Sequence, residues 1–130
     1  MFIPYKTDDG RVPAWEYLPA SAITPKVGMA LTMTSGQLAK ASGTTKPTYI
    51  SMVEKETACT DGDIIPVVRV GADMILETTF SAAATSVVPG AKVTVATDGL
   101  QVTGTTTDGI AEVVELDGTA AGSKVRVRFA

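Results

Sequence analysis

Apolar and polar positions alternate in short runs along most of the chain, and glycine-containing pairs separate the runs. A period of two places successive side chains on opposite faces of an extended backbone, so these runs predict strands. Val27-Gly28-Met29-Ala30-Leu31-Thr32-Met33-Thr34 leads to Ser35-Gly36, and Gln37-Leu38-Ala39-Lys40 resumes the pattern, which reads as a hairpin. Val93-Thr94-Val95-Ala96-Thr97 and Leu100-Gln101-Val102-Thr103 flank Asp98-Gly99. That pair is a hairpin signature, because the turn needs the positive φ that glycine adopts without strain.

The two hairpins belong to a longer correspondence. Gly28-Met29-Ala30-Leu31-Thr32-Met33 matches Gly90-Ala91-Lys92-Val93-Thr94-Val95, and the strand pattern at Tyr49-Ile50-Ser51-Met52-Val53-Glu54 matches Ile110-Ala111-Glu112-Val113-Val114-Glu115. Val67-Val68-Arg69-Val70 matches Arg126-Val127-Arg128-Phe129 at a similar offset, about sixty residues. Half-repeats over about 15–71 and 76–129 follow. Each would supply too little sheet to bury a face alone, so the halves should share one core. The expected class is all-β: a small β-sandwich or barrel with pseudo-twofold internal duplication and an extended N-terminal arm.

Helix has little support. Ser81-Ala82-Ala83-Ala84-Thr85 is long enough for one turn only. Residues 1–20 are expected as the arm and 21–130 as a single β domain, because Pro4, Pro13, Pro19 and Pro25 interrupt ladder pairing at intervals. The same stretch concentrates Phe2, Ile3, Tyr5, Trp15, Tyr17 and Leu18. Bulky apolar residues on an extended segment are costly to leave in water, so the arm packs either on its own domain or on another chain. Phe2, Ile3, Pro4, Tyr5, Trp15 and Tyr17 are the candidate contacts, with a plug for the end of the barrel as the alternative role of Trp15.

Composition narrows the chemistry. Among 130 residues there is no histidine and one cysteine, Cys59, which removes Ser-His-Asp and Cys-His catalysis, an internal disulfide and a thiolate zinc cage. No metal site, cofactor or enzymatic activity is expected. Glu54/Glu56, Asp61/Asp63 and Glu112/Glu115 are the carboxylate pairs available, and they read better as solvated edges and turns. The five Asp-Gly pairs lack the ligand spacing of a calcium loop and read as turns. A net charge of −3 gathers no polyanion, so nucleic acid is not an expected partner. The longest apolar stretch, Ile64-Ile65-Pro66-Val67-Val68, is too short to cross a bilayer, and the first ten residues do not have the form of a signal peptide.

Lys124-Val125-Arg126-Val127-Arg128-Phe129 alternates strictly, with Val125, Val127 and Phe129 on one face and Lys124, Arg126 and Arg128 on the other. The cationic face is either the solvated side of a half-buried strand or a charged docking strip for an acidic surface.

The order of these elements resembles the small head decoration proteins that cement the capsids of tailed bacteriophages. The resemblance runs from Val27 through Gln37-Leu38-Ala39-Lys40-Ala41, Gly43-Thr44-Thr45 and Ile50-Ser51-Met52-Val53 to Asp61-Gly62-Asp63 and the stretch ending at Leu76. It resumes at Ala121-Gly122-Ser123-Lys124-Val125-Arg126-Val127-Arg128-Phe129. It implies a structural virion protein on the capsid exterior, made in the host bacterial cytoplasm, that joins the major capsid protein as a homotrimer through an N-terminal arm. The alternative is a carbohydrate- or surface-binding β module of a phage tail or cell-wall apparatus, which requires an exposed aromatic platform.

Overall fold

Strands form where the alternating runs lie, in two sheets that pack against each other. A computed structural model describes residues 1–129. It contains β1 (Ile3–Thr7), β2 (Trp15–Ala20), β3 (Ala30–Thr34), β4 (Gln37–Lys40), β5 (Tyr49–Ser51), β6 (Asp63–Arg69), β7 (Met74–Thr79), β8 (Lys92–Val93), β9 (Ala111–Leu116) and β10 (Lys124–Arg128), with no helix among the described residues. One sheet is a closed barrel in the order β2-β4-β3-β5-β6, and the other is five-stranded in the order β1-β7-β10-β9-β8.

Alternation sorts the apolar side chains between two cores. Leu31, Leu38, Tyr49, Ile65 and Val67 fill the barrel interior. Their neighbours Ala30, Ile50 and Val68 turn outward and join Leu76, Phe80, Val93, Val113, Val125, Val127 and Phe129 in the larger core between the sheets. One-residue steps along β3, β5 and β6 thus serve both cores, as a pleat requires.

The order of strand pairing recurs in the two halves. In the barrel, β2–β6, β6–β5, β5–β3 and β3–β4 are antiparallel, and Ala20 meets Leu38 in parallel to close the ring. In the second half, β7–β10, β10–β9 and β9–β8 are antiparallel, then Val95 bridges Val102 antiparallel and Val102 bridges Phe80 in parallel. Individual hydrogen bonds recur as well. The Gly28 amide donates to the Ser51 carbonyl at 2.8 Å and the Gly90 amide to the Val113 carbonyl at 2.7 Å. The Gly62 and Gly122 amides donate to the Ala20 and Phe80 carbonyls, both at 2.8 Å.

The first twenty residues differ from the expected arm. β1 is the edge strand of the five-stranded sheet, antiparallel to β7, and β2 is a stave of the barrel. Proline is compatible with a ladder wherever its missing N–H would face away from the partner strand, and Pro4 adjoins a shift in register between Pro4 and Lys6. Burial supplies the driving force: Phe2 is 1% exposed and meets the Phe129 ring edge-on at 5.5 Å between centroids. Residues 8–14 connect the two strands outside the ladders, through a turn at Asp8-Asp9 in which the Asp8 amide donates to the Asp73 carbonyl at 2.9 Å and Gly10 has φ 72°.

Candidate functional surface

β2 and β6 lie side by side with Trp15 opposite Val68, Tyr17 opposite Pro66 and Pro19 opposite Ile64. Directly opposed residues share a face, so these six side chains form one apolar ladder on the outside of the barrel. Val68 is covered by the second sheet, whereas Trp15, Tyr17 and Ile64 are 55%, 65% and 61% exposed. Ile3 and Tyr5 on β1 are exposed too, and Val12 stands at the tip of the 8–14 loop. Shallow grooves of about 320 and 330 Å³ flank that loop, one lined by Tyr5, Arg11 and Val12, the other by Glu16, Arg69, Asp73 and Met74.

The equivalent face of the second half has different chemistry. There Glu77 opposes Arg126 and Thr79 opposes Lys124, where the barrel has Tyr17 with Pro66 and Pro19 with Ile64. The fold therefore accommodates charged residues at these positions, and the apolar content of the β2–β6 face is a property of its own sequence. Contiguous exposed apolar surface of this kind marks interaction sites.

The candidate contacts separate into two surface groups and one core residue. Trp15 and Tyr17 lie together on the ladder, Ile3, Pro4 and Tyr5 lie on β1, and Phe2 is in the core. As a contact Phe2 is therefore corrected: its side chain is occupied by Phe129 and its amide donates to the Gly28 carbonyl at 2.8 Å. Sequence reasoning missed Pro19, Ile64 and Pro66, because their adjacency to Trp15 and Tyr17 depends on the β2–β6 register. The exposed Ile64 beside buried Ile65 inside an apolar run was the available signal.

The cationic strip on β10 is already engaged within the chain. Arg126 donates to Glu77 at 3.0 Å and to Asp117 at 2.6 Å, and its guanidinium lies 5.2 Å from the centre of the Tyr5 ring. Arg128 donates to both carboxylate oxygens of Asp8, at 3.1 and 3.2 Å, and to the Ala72 carbonyl at 2.7 Å. Lys124 is 3.9 Å from Glu77 and more exposed. The hydrogen bond from Arg128 holds the Asp8 carboxyl below its ordinary value, and the bond to Asp8 raises Arg128 in turn. Neutralised cations set between β7 and β9 have less charge to offer an acidic partner.

The acids are dispersed. Asp63 accepts from the Thr60 amide at 2.8 Å and lies 3.4 Å from Lys55, a turn-stabilising arrangement. Among the described residues, no group of three or more histidine, cysteine or acidic side chains is placed to hold a metal ion. Cys59 is a buried free thiol in the barrel core. No protein-family model matches the chain, and no curated protein matches it either.

Proposed function

We propose that this is a structural virion protein that binds the outside of a phage capsid and stabilises the lattice by bridging capsid subunits. The observation that carries the reading is the ladder of exposed Trp15, Tyr17 and Ile64 with half-buried Pro19 and Pro66, set against the charged counterpart in the other half. An apolar face on β2 and β6, where β7 and β10 of the other half have Glu77, Arg126 and Lys124, is suited to docking on a larger surface. Repetition over a lattice would sum modest contacts by multivalency. The reading includes no catalytic step, a homotrimer in solution, and descent of the two halves from one duplicated unit, for which the shared pairing order is the support.

Co-sedimentation with purified capsids lacking the protein tests the proposal. Tyr17→Ser with Ile64→Thr leaves the barrel interior intact and should lower capsid occupancy at least roughly tenfold, the scale of two lost apolar contacts. Unchanged occupancy in the double variant would remove this face from the account.

A second reading, a carbohydrate-binding module, draws on one specific feature. Trp15 and Tyr17 are two residues apart on one strand face, a rise of about 7 Å, and both rings are exposed. Saccharide rings stack on such pairs. Glycan-array binding that disappears in Trp15→Ala would favour this reading over capsid docking.

A further inference from the structure

The two halves differ at one strand edge. In the second half β1 runs antiparallel along β7, with Ile3 opposite Glu77 and Thr7 opposite Met74. Glu77 is the counterpart of Tyr17, since Glu77 opposes Arg126 on β10 as Tyr17 opposes Pro66 on β6. Along β2, the only pairing on the edge away from β6 is that of Ala20 with Leu38, so among the described residues nothing pairs with Trp15 to Leu18 there.

Prolines fix which groups face the open edge. Pro66 and Pro19 have no N–H, so the pairs Tyr17–Pro66 and Pro19–Ile64 are not the ones that exchange two hydrogen bonds. The ladder bonds then fall on Glu16–Val67 and Leu18–Ile65. The N–H and C=O groups of Trp15 and Tyr17 consequently point away from β6, toward the side that is bare. The Pro66 carbonyl agrees with this phase, because it accepts from the Met52 amide on the β5 side at 3.0 Å.

We infer that the free edge of β2 accepts an extended segment of a partner protein as an added antiparallel strand, with apolar side chains laid beside Trp15 and Tyr17. The inference rests on the docking reading above and names its mode: strand addition by a segment of the capsid shell. The occupant's chemistry is indicated by β1, which fills the matching position in the other half with the sequence Ile3-Pro4-Tyr5-Lys6-Thr7. The chain's own strand of that kind is already committed to β7. Self-pairing of two β2 edges is disfavoured in the central registers: centred on Tyr17 or Leu18 it sets Trp15 or Tyr17 opposite Pro19, which has no N–H, and centred on Glu16 it sets two glutamates opposite each other.

The single tryptophan is the reporter, since Trp15 lies on the edge. A capped synthetic peptide copying residues 2–7 is titrated against the full chain while Trp15 emission is followed. A saturable blue shift is expected. It should persist in Tyr17→Thr, which keeps the backbone donor, and weaken at least roughly tenfold in Tyr17→Pro, the scale of one or two net backbone hydrogen bonds. A peptide N-methylated on alternate residues makes the same cut without altering the protein, and should give no shift in the methylation phase that faces β2. Absence of a shift with the unmodified peptide, or equal losses in Tyr17→Thr and Tyr17→Pro, overturns the inference. So does a dimer by light scattering that Tyr17→Pro converts to monomer, because the edge would then be paired with itself. Capsid co-sedimentation separates the two levels. Peptide binding without capsid binding sinks the virion reading and leaves the edge; capsid binding that survives Tyr17→Pro, with no peptide shift, does the reverse.

Discussion

Arg128 and Asp8 join the last strand to the loop after the first, and the geometry is that of a two-pronged guanidinium on a carboxylate. Because the folded-state value of Asp8 is lowered, its stabilising contribution is present above the unfolded carboxylate value, about 3.9, and is lost as pH falls through the lower folded value. The melting temperature of the parent should therefore exceed that of Asp8→Asn at pH 7, and the gap should close on acidification below about 3.9. Thermal melts at a series of pH values check this. The pair lies at the surface, so added salt should narrow the gap at neutral pH as well. A gap that stays constant from pH 7 to acid would mean that the charge on Asp8 contributes nothing. The alternation of β10 was legible in the sequence, and so was the inward direction of Val125, Val127 and Phe129. The partners of Arg126 and Arg128 were not, because Asp8, Glu77 and Asp117 reach them through strand order.

Turn chemistry decides the elements more directly than strand propensity does. Ser35 and Gly36 both have positive φ, at 51° and 80°, which makes the two-residue hairpin between β3 and β4 and explains why its register could be read from the chain alone. β1 was misread as part of an arm because its proline outweighed its alternation, and because its partner β7 lies far along the sequence. What fixes β1 is Gly28. At φ 80° it lies under the first residues of the chain, and a Cβ there would contact Met1 and approach the Phe2 backbone N and O at 2.9 Å. Gly28→Ala combines a left-handed conformation with this overlap, so it should cost about 1–3 kcal/mol by chemical denaturation. Hydrogen exchange should show the loss concentrated in the amides of β1, with β4 and the barrel interior protected as before. Uniform loss of protection across both sheets would instead place Gly28 in the global folding unit and not specifically at the β1 clasp.

At the scale of the molecule, the question is whether the two sheets unfold as one body. Ala30, Ile50 and Val68 come from the barrel, yet their side chains lie in the core of the five-stranded sheet, and Phe2 from the first strand completes that core. The Gly43 and Val95 backbones also bridge the halves, with hydrogen bonds of 2.8 and 3.0 Å. Unfolding either half alone would expose the large core to water, a penalty that favours a single cooperative transition. Trp15 reports on the barrel, whereas far-UV circular dichroism reports on all strands, so the two denaturation curves should superimpose. Ile50→Ala should move both midpoints together, with a loss of roughly 2–5 kcal/mol for a fully buried branched side chain. A Trp15 transition that precedes the dichroism change would show that the barrel opens separately. The outer ladder could then be remade by local unfolding, and a rigid face would no longer be the basis of docking. Coincident curves leave Trp15, Tyr17 and Ile64 held on a fixed frame, which is the condition under which a partner strand meets a preformed edge and gives up only its own freedom on binding.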